Sequence, residues 1–336
     1  MNANRENNFR LAAENPVLIT GAAGYIARAV TRELTAAGYP LLLTDARTPA
    51  AARENFHRLD LTDRDATRAL VARLRPAAIV HLAGLIQVGE SVREPELYWR
   101  VNVGAGNNLL EAARENGVRA LVYSSSAAVY GEPKKIPLDE EQPLAPLSPY
   151  GKSKAGVESL LADCEVAGGP RFAALRFFNA AGASADGLDG EDHEPETHLI
   201  PSLMRALKAD APVRILGADY PTPDGSGLRD YIHVEDLAAG HRLALEYLLR
   251  GGASTILNLG TGIGASVREV IALAETVSGK KARVEVLPRR PGDCAALVAD
   301  PARARQVLGF NTRHDLAAIV RTAWAWEQRK NSSESQ

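Results

Sequence analysis

A short apolar run, Pro16-Val17-Leu18-Ile19-Thr20, passes without a spacer into Gly21-Ala22-Ala23-Gly24-Tyr25-Ile26-Ala27 and then into a helical stretch reaching about residue 37. Glycines at a strand-to-helix turn let the backbone come close to a bound group where a Cβ would intrude. The helix that follows offers free N–H groups and the positive end of its dipole, a combination that suits a pyrophosphate. Taken alone, the G-x-x-G-x-x-A spacing also suits an ordinary tight turn. The next strand, 40–44, ends in Asp45. An acid there accepts hydrogen bonds from adenosine ribose hydroxyls and repels a 2′-phosphate, so NAD is expected rather than NADP, with Arg47 close by as a partial counterweight.

The alternation continues. Leu59-Asp60-Leu61 ends a third extended stretch, where Asp60 either meets an adenine amino group or caps a helix expected over 63–74. Ala78-Ile79-Val80-His81-Leu82-Ala83-Gly84 is a strand running into a small-residue loop, suited to a wall against a cofactor; His81 reads as a satisfied core histidine. A helix over 95–116 carries Asn102, and Ala120-Leu121-Val122-Tyr123-Ser124-Ser125-Ser126 is a strand ending in hydroxyls. Strands alternating with helices at this spacing imply right-handed crossovers and an α/β fold, a Rossmann-type doubly wound parallel sheet. Ligands collect at the carboxyl ends of such strands, where Gly21, Asp45, Gly84 and Ser126 all fall. The expected organisation is a polar tail over 1–14, an NAD-binding Rossmann domain over 15–180, and a smaller α/β substrate-binding domain over most of 181–330. Some segments of the latter can return to the first domain, and a tail covers 331–336.

Ser148-Pro149-Tyr150-Gly151-Lys152-Ser153-Lys154 reads as the opening of a helix. Its spacing stacks Tyr150 and Lys154 on one face, so an ammonium can lie near a phenol and make phenolate cheaper to form. A tyrosine so tuned can exchange a proton with an alcohol near neutral pH. Ser126 is expected beside it as a hydroxyl donor to the same reacting oxygen.

A formal net charge of -2 without a basic stripe argues against nucleic acid as a partner. No apolar run reaches the roughly 18 residues of a membrane span. The first fourteen residues lack the pattern of a secretory signal, and Cys164 and Cys294 lack a partner pattern, so a reducing cytoplasm is expected. Asp192 and His193 are too few to argue for a metal, and no metal site is expected.

With Gly21-x-x-Gly24, Ser124-Ser125-Ser126 and Tyr150-x-x-x-Lys154 in order, the chain resembles an extended short-chain dehydrogenase/reductase. Ala83-Gly84-Leu85, Val88-Gly89-Glu90-Ser91, Val129-Tyr130-Gly131, Phe178-Asn179, Gly190-Glu191-Asp192-His193, Asp219-Tyr220-Pro221-Thr222, Arg229-Asp230-Tyr231-Ile232-His233-Val234 and Arg289-Arg290-Pro291-Gly292-Asp293 make it similar to UDP-glucose/UDP-galactose 4-epimerases, from about residue 17 to 326. The resemblance implies tightly held NAD and reversible 4-epimerisation of UDP-galactose and UDP-glucose through a 4-keto intermediate. It implies Tyr150 as base, Lys154 on the nicotinamide ribose and lowering the phenol's pKa, and Ser126 orienting the sugar hydroxyl. Gly21, Gly24, Tyr25, Ile26, Asp45, Asp60, Leu61 and Ala83 would line the NAD site. Asn179, Leu199, Arg229, Arg290 and Asp293 would hold the nucleotide sugar, and Leu297 stands at the sugar-pocket gatekeeper position. A homodimer is also implied.

Three residues depart from the family's pattern. Ala27 replaces a third glycine, Ile86 stands where a lysine near the NAD phosphates is common, and Phe177 replaces a tyrosine. These, with a short segment over 47–56, bear on how firmly NAD is retained. A 4,6-dehydratase would need an acid pair after Ser126, where Ala127-Ala128 stand instead. A 4-epimerase of another UDP-sugar (UDP-GalNAc/GlcNAc, a pentose or a uronate) and a non-catalytic NAD-binding regulatory protein are the alternatives. The irregular stretch over 180–198 is too long for a connector and is expected to be a functional loop.

Overall fold

The computed structural model describes residues 15–49, 55–290 and 293–330. Residues 1–14 and 331–336, residues 50–54 of the short segment over 47–56, and Pro291 and Gly292 lie outside the described residues. The chain divides into two compact units. The first takes the residues up to Gly131, Leu144–Arg176 and Ala238–Leu257; the second takes Glu132–Pro143, Phe177–Leu237 and the residues from Asn258 on.

In the first unit β1 (Val17–Thr20), β2 (Leu41–Asp45), β3 (Phe56–Arg58), β4 (Ala78–His81), β5 (Ala120–Ser126) and β6 (Arg171–Phe177) form one sheet with the strand Thr255–Leu259. The spatial order is Thr255–Leu259, β6, β5, β4, β1, β2, β3. The pairs β1–β2, β1–β4, β2–β3 and β4–β5 are parallel. Chain order therefore reverses between β1 and β4, the point where a doubly wound sheet opens a crevice. Parallel strands covered on both faces need continuous apolar sequence, and Val17, Leu18, Ile19, Ile79 and Val80 are fully buried. Leu18, Ile79, Leu109, Leu121, Val157 and Leu161 share one core with Tyr123.

Two helices matter to the site. Ser148 accepts a hydrogen bond from the Gly151 N–H at 3.1 Å and Pro149 fills the first turn, which starts the helix Pro149–Val166 where the sequence places it. At Gly151 a Cβ would stand 2.5 Å from the Ala128 carbonyl oxygen, so glycine is what lets this helix lie against the loop after β5. The single helix expected over 95–116 is instead three pieces: Pro95–Tyr98, a π-helical turn Trp99–Gly104, and Ala105–Glu115. The wider turn carries buried Asn102, whose side chain bonds to another loop, a tertiary demand that sequence periodicity does not register.

In the second unit Leu228–His233 pairs antiparallel with Gly264–Ser266 and parallel with Ala296–Leu297 and Asn179–Ala181. Pro212–Leu216 and Arg283–Leu287 form a separate parallel pair. Ile200, Leu203, Met204, Val270, Ile319 and Val320 make its core. Among the described residues no helix is long and apolar enough to cross a membrane.

Candidate active site

The glycine turn after β1 is built on close backbone approach. Gly21 has φ +68°, and a Cβ there would stand 2.7 Å from both the N and the Cα of Ala83. Gly24 caps the helix Tyr25–Ala36 without a side-chain hydrogen bond, and the first turn holds no acid. Among the described residues no side chain caps this helix and no acid stands in its first turn, which fits the pyrophosphate of a dinucleotide. Tyr25 is buried, Ile26 half-buried, and Ala27, in place of a third glycine, is buried in the core. Ala83 donates its N–H to Thr20 Oγ1 at 3.3 Å, and that hydroxyl also meets His81 Nδ1 at 2.7 Å. Burial pushes the His81 pKa down to about 3, so it is a neutral core residue.

Asp45 ends β2 with its carboxylate on the turn, accepting N–H bonds from Ala23 at 3.1 Å and Arg47 at 2.9 Å. Asp60 is exposed and accepts bonds from the Thr62 N–H and hydroxyl at 2.9 and 2.8 Å. It does not cap the following helix. Asp63 does, accepting the Ala66 N–H at 3.0 Å. Leu61 is buried beside it, and Ile86 is 37% exposed.

At the end of β5 Ser126 is near enough to the Tyr150 phenol to lower its pKa, but Tyr150 is buried and desolvation, the larger influence, raises it. Lys154 Nζ donates to the Ser124 carbonyl at 2.8 Å and lies 5.9 Å from the Tyr150 ring centroid, over the face of Tyr123 at 5.0 Å. Burial lowers the lysine's own pKa to about 8, against a raising influence from Glu158. The expectation that the ammonium makes phenolate easy to form thus differs from this arrangement. Here the cation is committed to a backbone carbonyl and burial dominates the phenol.

Sequence reasoning missed the supports beneath these groups. Asn102 donates to the Leu85 carbonyl at 3.1 Å and to Ser153 Oγ at 2.9 Å, and accepts the Leu85 N–H at 2.7 Å. It ties the loop after β4 to the helix of Tyr150. Arg176 on β6 grips Glu158 of that helix through Nε at 3.0 Å and Nη2 at 2.7 Å, and donates to the Tyr130 hydroxyl at 3.0 Å. Ser125 donates to Glu158 Oε1 at 2.5 Å. The only sequence trace of this network was Glu158 four residues beyond Lys154, on the face that turns inward.

In the second unit Asn179 donates to the Asp230 carbonyl at 3.0 Å. Arg229 donates to the carbonyls of Leu228 and Cys294, both at 2.9 Å, and pairs in register with Leu297. Arg290 pairs with Asp293 through two nitrogens, at 2.9 Å from Nη2 and 3.1 Å from Nε. Leu199 is the first residue of the helix Leu199–Ala209 and Leu297 is half-buried.

The profile of the NAD dependent epimerase/dehydratase family matches residues 17–260. The chain belongs to that family. A UDP-glucose 4-epimerase of Rhizobium leguminosarum bv. trifolii is 43% identical over 326 residues, covering 95% of this chain and 99% of the relative. The crystal structure of a UDP-glucose 4-epimerase from Brucella ovis in complex with NAD superimposes with a TM-score of 0.87 at 41% identity, covering 92% of this chain and 97% of the other. One from Stenotrophomonas maltophila, with bound NAD and formylated UDP-arabinopyranose, gives 0.89 at 37% identity, covering 96% and 100%. The family is NAD-dependent, and the glycine turn described above fits that cofactor.

Proposed function

We propose that the chain interconverts UDP-galactose and UDP-glucose by inverting carbon 4 of the sugar. The observation that carries this reading is buried Tyr150 with Lys154 one helical turn along, its Nζ 5.9 Å from the phenol ring, and Ser126 at the carboxyl end of β5, in a chain similar over nearly its whole length to UDP-glucose 4-epimerases. NAD, when bound, accepts a hydride and gives it back. Gly21, Gly24, Tyr25, Ile26, Ala83 and Leu61 would line its site, with Asp45 and Asp60 toward the adenosine and Lys154 toward the nicotinamide ribose.

In its phenolate form Tyr150 would take the proton of the 4′-hydroxyl and later return it, and the Ser126 hydroxyl would orient the reacting oxygen. Inverting the carbon requires the sugar to present either face, so the chain must grip UDP firmly and the hexose loosely. Arg229 and Arg290 are fixed cations able to bind phosphate bidentately, and with Asn179, Leu199 and Asp293 they would hold the nucleotide. Leu297 at the sugar position, smaller than an aromatic residue, would admit UDP-GalNAc as a secondary substrate. The reading expects a cytoplasmic homodimer.

Proton NMR of the anomeric signals of UDP-galactose, incubated with purified protein without added cofactor, tests this. UDP-glucose should appear and approach a fixed ratio. No conversion, with NAD supplied to the same tube as well, rules the reading out for this sugar.

A further inference from the structure

The segment that leads into the helix Leu199–Ala209 folds Glu191, His193, Glu196 and His198 around one point. Each offers one ligand atom, and these atoms lie within 4.8 Å of one another. Glu191 Oε1 meets His193 Nδ1 at 3.1 Å and also His198 Nδ1. Glu196 Oε1 accepts the N–H groups of Thr197 at 2.8 Å and His198 at 2.9 Å. The second oxygen of each carboxylate, Oε2, is buried and has no hydrogen-bond partner. The two side chains are only 6% and 4% exposed. Arg205 comes no nearer to Glu196 Oε2 than 3.8 Å, which supplies charge but no hydrogen bond. Two buried carboxylate oxygens without donors, side by side with two imidazoles, are costly unless a cation completes them.

We propose that Glu191, His193, Glu196 and His198 bind a divalent transition-metal cation of the zinc class. Two imidazole nitrogens and two carboxylate oxygens form a four-donor set suited to tetrahedral coordination. The surroundings hold the ligands in place: Trp326 Nε1 donates to the Glu191 carbonyl at 3.1 Å, and Arg205 donates to the His193 carbonyl at 3.1 Å. The imidazoles are 31% and 45% exposed, so a cation can reach them from solvent. No metal site was expected from the sequence because Asp192 and His193 are its visible pair. Asp192 in fact turns to Arg205 and Lys330, and the ligands come from 191, 193, 196 and 198.

A second cluster, His233, Glu235 and His314, serves as the internal control. Both ring nitrogens of His233 are already engaged, by Thr322 Oγ1 and by the Glu235 N–H, each at 3.1 Å.

The test is titration of untagged, metal-stripped protein with Co2+ alone at about pH 7.5, since metal affinity depends on pH. A single saturable site with the visible absorption of tetrahedral Co2+, displaced by Zn2+, is expected. Glu191→Gln and His193→Ala should each weaken it at least ~10-fold, the scale already seen on loss of groups that only support a ligand. His314→Ala should leave it unchanged. Absence of saturable uptake by the folded wild type, or uptake that survives both ligand substitutions, overturns the proposal. If Glu191→Gln does not fold by circular dichroism, His193→Ala and His198→Ala, which alter more exposed side chains, decide it on the same criterion.

Discussion

Arg176 in the first unit and Arg290 in the second each grip a carboxylate with two nitrogens, yet they stand in opposite surroundings. Arg176 and Glu158 are each only 4% exposed, and the pair is closed off further by Tyr130 and Ser125. Arg290 is 43% exposed and its partner Asp293 lies three residues along the chain. A buried, fully bonded pair cannot exchange partners without leaving a charge unsolvated, so it acts as framework. An exposed local pair gives up its partner at little cost and remains open to an incoming phosphate. The groups proposed for proton transfer thus rest on a buried support, whereas Arg290, proposed for the nucleotide, is a reachable cation.

The largest effect should come from the chemistry that the framework carries. Tyr150→Phe keeps the ring packing and removes the proton acceptor, so epimerisation should fall by about 10²–10⁴-fold with folding intact. Unchanged turnover in the NMR assay would remove Tyr150 from the mechanism. Breaking the support comes next: Arg176→Ala leaves Glu158 as a buried, unpaired charge and should cost about 3–5 kcal/mol in denaturant unfolding. A loss below 1 kcal/mol would mean that the pair is not framework at all.

The exposed pair should respond in the other currency. Arg290→Ala should raise KM for the UDP-sugar by about 10–100-fold, the scale of one or two charge-assisted bonds, and change stability by less than about 1 kcal/mol. A KM left at the wild-type value would take Arg290 out of nucleotide binding.

Lys154 sharpens the contrast through pH. Its folded pKa, lowered to about 8 from the usual 10.5, means that between those values the unfolded chain holds more protons than the folded one. Unfolding free energy therefore gains a contribution that rises with pH across that window, by at most about 1.4 kcal/mol per pH unit for one proton. Wild type minus Lys154→Met stability should show that positive slope from pH 8 to 10.5, and a flat difference would place Lys154 in a more hydrated setting.

The legible part of the fold was the part written in local chemistry. Short continuous apolar runs at β1, β4 and β5, bounded by glycine and turn residues, suit strands covered on both faces, and Ser148-Pro149 can start a helix without outside help. Asp60 and Asp63 show where local reading fails: two acids near one helix start look alike in sequence, and only the turn geometry gives the cap to Asp63. The same holds for Asn102, whose π-helical setting exists to satisfy the Leu85 N–H and carbonyl across the fold.

What the sequence determined by itself was the order of strands, turns and helices, the glycine at position 21 and the spacing of Tyr150 and Lys154, because each depends on residues adjacent in the chain. What only the tertiary structure decided was which charges lose their water. It committed Lys154 to the Ser124 carbonyl, buried the Tyr150 phenol, paired Arg176 with Glu158, and brought Glu191 and Glu196 together with two histidines. Desolvation depends on everything packed around a group, and no stretch of chain carries that information alone.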